Sequence, residues 1–348
     1  MKKILDLRSD TVTIPCEEMR QAMRDALVGD DIMREDPTVH ELESLAAQIL
    51  GYESAMLVVS GTMANQVAVM TFTQRGEEVI VGDKSHIYNL EVAALAALSQ
   101  VQARPISVVD GEYCLEEMES AIRQPGVQSA ATGLICLENT YDLNSGFPVP
   151  LDNLVKIRQL SEKHGIPVYL DGARLFNASA YHGVAPSEIC KYADAAQICL
   201  TKGLGAPIGS ILAGSKSFID EARRFKQRIG GGMRQAGIIA APAIYALNNN
   251  ITRMGEDHEN AYRLAEGFAK IDGLSVEPGK VKTNIVSPVI TKEGWNADMF
   301  IDRLGEFGIK SKKIAENRCR FITHLQVTAE DVEFIIAQVQ TILGTGIH

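Results

Sequence analysis

Between residues 55 and 213 of this 348-residue chain, short apolar runs alternate with stretches of helical period. This alternation leaves few folds open. The runs fall at 55–59, 78–81, 102–108, 133–137, 168–170, 196–200 and 210–213, with helices expected over 61–70, 88–98 and 151–164. Runs that are apolar at successive positions need cover on both faces, which points to a mostly parallel sheet flanked by helices. Beyond residue 250 the order changes. Residues 240–250 lead into an amphipathic helix over 252–271, then a strand over 282–290, a helix over 297–307, a strand over 318–323 and a helix over 328–343. Thr328 caps that last helix, with Asp331 three residues on. The expected architecture is therefore α/β: a large domain over residues 29–250 and a smaller C-terminal α+β domain over 251–348. Residues 1–28 are expected to pack on the small domain or on a partner subunit. The length supports two such cores.

In open α/β sheets, ligands bind at the carboxyl ends of the strands. Two strand ends carry chemistry here. Asp171 closes the run Val168-Tyr169-Leu170 and shares a turn with Arg174; Lys202 closes the next run and is followed by Gly203, Gly205, Pro207 and Gly209. An acid and a lysine on neighbouring strand ends are the two anchors of pyridoxal phosphate. The lysine forms a Schiff base with the aldehyde, and the carboxylate pairs with the pyridinium nitrogen. Ser60-Gly61-Thr62 joins a strand to a helix and suits a phosphate, although such turns are often plain caps. His86 follows another strand and is placed either to stack on the ring or to cap a helix. Gly230-Gly231-Gly232-Met233-Arg234 is a hinge, or a means of bringing Arg234 to a phosphate across a subunit interface.

Composition narrows the partners. The formal net charge is -10, which disfavours nucleic acid and anionic membranes. The start, Met1-Lys2-Lys3-Ile4-Leu5-Asp6, lacks the apolar run of a signal peptide, and no stretch nears the roughly 20 apolar residues of a membrane span. The six cysteines, at 16, 114, 136, 190, 199 and 319, form no Cys-x-x-Cys pair, so neither a metal site nor a disulfide framework is expected. A reducing cytoplasm is the simplest compartment.

Taken together, Asp6-Leu7-Arg8-Ser9-Asp10-Thr11-Val12-Thr13, Gly29-Asp30-Asp31, Glu35-Asp36-Pro37-Thr38-Val39, Ser60-Gly61-Thr62-Met63-Ala64-Asn65, His86-Ile87-Tyr88, Glu138-Asn139-Thr140, Asp171-Gly172-Ala173-Arg174, Lys202-Gly203-Leu204-Gly205-Ala206-Pro207, the stretch 230–237 and Arg320-Phe321-Ile322-Thr323-His324 resemble the L-threonine aldolase family of pyridoxal-phosphate enzymes, of the low-specificity kind and fold type I. The resemblance covers nearly the whole chain. It implies Lys202 as the Schiff-base lysine, Asp171 as partner of the ring nitrogen and His86 as the stacking group. It implies Ser60, Gly61 and Thr62 as the phosphate cup, with Arg234 reaching in from a neighbour. Arg174 would contact the cofactor or the substrate carboxylate, and Ser9 and Arg320 would hold that carboxylate. It also implies homotetramers, as dimers of dimers, with sites at dimer interfaces.

The chain departs from the family pattern at three places expected near the substrate side chain. Ile32-Met33-Arg34 stands where the family has an apolar residue, a tyrosine and a glycine; Tyr141-Asp142 replaces a histidine and an asparagine; Ser145-Gly146 replaces a glycine pair. Met33 and Tyr141 are thus candidate substrate contacts. The absent histidine leaves the base open among His86, Tyr141 and a phosphate-held water. Arg34 either shifts substrate preference or pairs with Glu35, Asp36 or Asp142. The activity implied is retro-aldol cleavage of a 3-hydroxy amino acid to glycine and an aldehyde. The rivals are a β-eliminating lyase or racemase with the same anchors and a non-catalytic binding protein.

Overall fold

The computed structural model describes residues 3–344. The outermost residues of the expected domains, 1–2 and 345–348, lie outside the described residues. Seven strands form the central sheet: β1 (Ser54–Val58), β2 (Glu78–Gly82), β3 (Gln102–Ile106), β4 (Thr132–Glu138), β5 (Val168–Gly172), β6 (Ala195–Cys199) and β7 (Ser210–Gly214). Their order is β1-β7-β6-β5-β4-β2-β3. Strands β3, β2, β4, β5 and β6 are parallel neighbours, while β7 runs antiparallel to both β6 and β1. The carboxyl ends of six strands therefore share one edge of the sheet.

Both faces of the sheet are covered, as the continuous apolar runs require. Leu57, Ile80, Ile135, Leu170, Ile198 and Ile211 enter one core. Their neighbours Met56, Val79, Leu134, Tyr169 and Leu212 enter the other. This is the two-residue alternation of a strand with no solvent face. Each such side chain contributes about 1.5–3 kcal/mol by leaving water.

A third core holds the C-terminal layer, where Phe268, Phe321, Val332 and Val339 pack with Leu5 and Leu7. The N-terminal segment joins this layer through backbone pairing of Leu5–Asp6 with Ile309–Lys310. The helix Ala329–Gly344 starts as its sequence indicates: Thr328 N–H donates to Asp331 Oδ2 at 3.0 Å, and Asp331 N–H to Thr328 Oγ1 at 3.3 Å.

Two expected elements differ. The helix expected over 88–98 is instead a single turn, His86–Asn89, and a π-helical turn, Leu95–Ser99. Between them Val92 and Ala93 take φ of 53° and 56°, the left-handed region that breaks a helix. The preceding Glu91 is buried by hydrogen bonds from Asn65, Gln66 and His86. The strand expected over 282–290 is split into Ile285–Val286 and Val289–Ile290 around Pro288, which has no N–H to give a ladder.

Candidate active site

The sheet edge gathers the expected anchors. Asp171 ends β5, Glu138 lies beside it in register on β4, and Lys202 follows β6 on the other side. Asp171 is buried at 4% exposure. Its Oδ2 accepts from Asn65 Nδ2 at 2.8 Å, and its Oδ1 accepts from Ala173 N–H at 3.1 Å and from the Gln197 amide. These donors are all neutral, and among the described residues no cation pairs with Asp171. A buried carboxylate in that state has room for a cation.

The loop after Lys202 is tied down. Gly205 N–H donates to Lys202 O at 2.9 Å and Ala206 N–H to Leu200 O at 2.9 Å. Gly205 has φ +76°, and a Cβ there would stand 2.6 Å from Leu325 Cδ2, so only glycine fits. At Gly61 a Cβ would make only a tight contact, 3.3 Å from the Gln197 amide and from Cys199 Sγ. The helix Gly61–Phe72 thus begins against the residue that holds Asp171. Ser60 Oγ is occupied as its cap, accepting from Met63 N–H at 3.2 Å. The first N–H groups, those of Gly61 and Thr62, remain for an anion.

His86 is held at two points. Its backbone N–H donates to Glu138 Oε2 at 2.6 Å, and its Nδ1 lies 2.9 Å from Glu91 Oε1. Burial and the charge of Asp171 lift Glu138 to about 8, against the His86 N–H and the charge of Lys202.

Arg174 has a partner the sequence reading left out. Its Nε and Nη2 donate to Asp10 at 2.7 and 2.8 Å, in an ion pair buried on both sides. Burial alone would raise the Asp10 carboxyl. The Arg174 charge and N–H groups, aided by Lys202 and Asn284, hold it well below the usual carboxylate range. Arg320, 1% exposed, donates Nη1 to Leu143 O at 2.8 Å and Nη2 to Arg8 O at 2.7 Å. Its buried Nε has no hydrogen-bond partner among the described residues. Burial and the nearby Arg174 charge push Arg320 down to about 10. Two guanidinium groups in mutual repulsion, one with an unpaired donor, fit an incoming carboxylate. Ser9 lies next to Asp10, its Oγ accepting from Thr11 N–H at 3.2 Å and Thr11 Oγ1 at 2.8 Å.

The departures from the family pattern have protein partners of their own. Tyr141 is 2% exposed, with its hydroxyl donating to Asp83 Oδ1 and accepting from Lys84 N–H, both at 2.7 Å. Burial and the Asp83 hydrogen bond raise the phenol, which makes Tyr141 a poor base. Arg34 pairs with Asp31 at 3.2 Å and Glu43 at 2.7 Å, not with Glu35, Asp36 or Asp142. Met33 is 65% exposed on that turn, whose Asp31 N–H donates to Arg234 O at 3.0 Å. Within one chain the turn that carries Met33 is therefore tied to Arg234. Arg234 itself is exposed and pairs with Asp30 at 2.8 Å.

Sequence reasoning assigned no role to Asp10, Asn65, Glu91, Glu138 or Gln197. Asp10, Asn65 and Glu138 sit inside the quoted motifs, which was a usable signal. Glu91 and Gln197 carried none.

The beta-eliminating lyase family matches residues 6–291. A probable low-specificity L-threonine aldolase 2 of Arabidopsis thaliana is 41% identical over 340 residues, covering 96% of each chain. The low specificity L-threonine aldolase of Escherichia coli K12 is 38% identical over 345 residues, covering 98% of this chain and all of that one. In fold, the crystal structure of a putative L-allo-threonine aldolase from Listeria monocytogenes superposes with a TM-score of 0.83 at 24% identity, over 98% of this chain and 97% of that one. The chain belongs to the beta-eliminating lyase family and, within it, to the low-specificity L-threonine aldolase family.

Proposed function

We infer that this chain binds pyridoxal 5'-phosphate and cleaves L-threonine, L-allo-threonine or related 3-hydroxy amino acids to glycine and an aldehyde. The observation that carries the reading is Asp171, buried with no cation partner among the described residues, one strand away from Lys202. The donor set fits the cofactor. Lys202 would supply the amine that anchors the aldehyde, Asp171 would keep the ring nitrogen protonated, and the first N–H groups of the Gly61–Phe72 helix would receive the phosphate. When bound, the cofactor supplies an electron sink conjugated to the substrate Cα.

The chain's own residues choose the reaction. Arg320 Nε and the Nη1 that Arg174 keeps outside its ion pair hold the α-carboxylate. Fixing that group selects which Cα bond can surrender its electrons. With Tyr141 committed to Asp83, His86 is the acceptor for the β-hydroxyl proton, through Nε2. Asp10 keeps Arg174 in place, so Asp10 acts through that arginine.

The working unit in this reading is a homotetramer in a reducing cytoplasm, with Arg234 exposed to reach a neighbour's phosphate site. Among the described residues no helix is long and apolar enough to cross a membrane.

The test is a product assay on purified protein supplied with pyridoxal phosphate. Visible absorbance of lysine-bound cofactor is expected, with stoichiometric aldehyde and glycine from threonine, allo-threonine or phenylserine. Ammonia and a keto acid in their place would make the chain an eliminating lyase. Unchanged substrate without bound cofactor would leave a binding protein.

A further inference from the structure

Glu91 is a buried carboxylate that no step above uses. It is 4% exposed and has no lysine or arginine partner among the described residues. Three donors converge on it instead. Asn65 Nδ2 reaches Oε1 at 2.7 Å, Gln66 Nε2 reaches Oε2 at 2.8 Å, and His86 Nδ1 lies 2.9 Å from Oε1.

The orientation of both amides is fixed from behind. Tyr169 donates its hydroxyl to Asn65 Oδ1 at 2.8 Å, and Ser99 donates its own to Gln66 Oε1 at 3.1 Å. Each NH2 group must therefore face Glu91. The Asn65 amide divides its two hydrogens between Glu91 and Asp171, so the carboxylate is also tied to the group expected at the ring nitrogen. Beyond Glu91 the chain keeps Val92 at φ 53° although that valine is 94% exposed and buries nothing in return. A β-branched residue held there marks a turn that something else requires. The gain is the inward placement of Glu91.

We propose that Glu91 is a positioning residue for His86, accepting from Nδ1 so that the imidazole keeps the Nδ1–H tautomer and presents an unprotonated Nε2 to the substrate hydroxyl. Both Glu91 oxygens already accept from amide N–H groups, and towards an acceptor oxygen Nδ1 must donate. The backbone of His86 is pinned separately by Glu138, which leaves the ring's rotation and tautomer to Glu91. The logic is that of a carboxylate orienting a catalytic imidazole. The inference rests on the functional reading above only for what Nε2 then does.

The test uses the full-length protein with 15N-labelled histidine, recorded with and without added pyridoxal phosphate, and His86 assigned by its loss in His86→Phe. The expected wild-type signal is a protonated Nδ1 and an unprotonated Nε2. In Glu91→Gln the new amide cannot accept from all three donors, and the Nδ1–H preference is expected to disappear. Aldehyde release should fall about tenfold to a hundredfold in kcat, with KM nearly constant and the cofactor's visible band retained. Glu91→Asp should recover part of the rate. In the His86→Phe background, Glu91→Gln should slow the residual rate no further. A wild-type His86 in the Nε2–H tautomer overturns the proposal, whether or not the variant folds. So does an equal loss from Glu91→Gln with and without His86. Failure of the wild-type protein to take up cofactor would overturn the functional reading instead, and the tautomer would still be readable.

Discussion

In the proposed reading, Lys202 and Asp171 divide the cofactor's two needs, a nucleophilic amine and a counter-charge, between the ends of adjacent parallel strands. Lys202→Ala is expected to lose the visible band of bound cofactor and at least a thousandfold in aldehyde release, and absorbance with steady-state kinetics checks both. Glu138 offers a second residue-scale expectation. Burial and the neighbouring Asp171 raise its carboxyl from 4.5 to about 8, so the native chain holds a proton there that the unfolded chain has released. Between those two values the native state binds more protons, and stability from this group falls as pH rises. Each pH unit in the window is worth up to about 1.4 kcal/mol. Urea titrations of the cofactor-free protein at pH 5, 6, 7 and 8 should show Glu138→Gln gaining steadily on the wild type. A constant difference across that range would mean that Glu138 is ionised throughout.

At the scale of elements, the site exists because the N-terminal segment is bound to both layers. Leu5–Asp6 pairs with the C-terminal layer, Arg8 O receives Arg320, and Asp10 receives Arg174 from the turn after β5. Asp10→Asn would leave Arg174 buried without its counter-charge, at a cost of about 3–5 kcal/mol. Because the Asp10 carboxyl is held below its ordinary 3.8, the pair's contribution is fully present above that value. It is lost as pH falls below it. Urea midpoints at pH 7 and pH 3 should therefore show a large deficit in Asp10→Asn at pH 7 and a smaller one at pH 3. The variant should also raise KM for amino acids, since Arg174 would lose its fixed position.

At the scale of the whole molecule, the exposed apolar residues bear on the proposed association of the chain. Leu27, Val28, Ile32 and Met33 are all exposed within seven residues of chain, and the turn carrying the last two is hydrogen-bonded to Arg234. A cluster of this kind beside an arginine expected at a phosphate suits burial against a second copy. Light scattering on the active protein should give at least a dimer. Arg234→Ala should weaken cofactor retention by about tenfold or more, measured by dialysis and visible absorbance, while leaving the fold intact by circular dichroism. A fully active monomer would remove Arg234 from the site.

The seven strands, the layers and the placement of Asp171 and Lys202 at neighbouring strand ends were legible in the sequence because each depends on local pattern. Apolar runs, a charged residue at a run's end and glycines after it are contiguous signals, and the helix Leu151–His164 needed nothing more. The groups that orient the anchors were not legible. Asn65 and Asp171 are 106 residues apart, and Asp10 and Arg174 are 164 apart. No spacing rule joins such pairs, and only the packed sheet edge does. The same reason redirected Arg34 to Asp31 and Glu43, and Tyr141 to Asp83: a buried or strained charge or hydroxyl takes the partner that packing brings within reach. The break at Val92 was hidden likewise, because 88–98 has ordinary helical composition and the pull on Glu91 comes from residues on another helix. Local pattern determined where the chemistry could stand; tertiary packing decided which groups hold it in place, since a buried polar group must find its partner in space rather than along the chain.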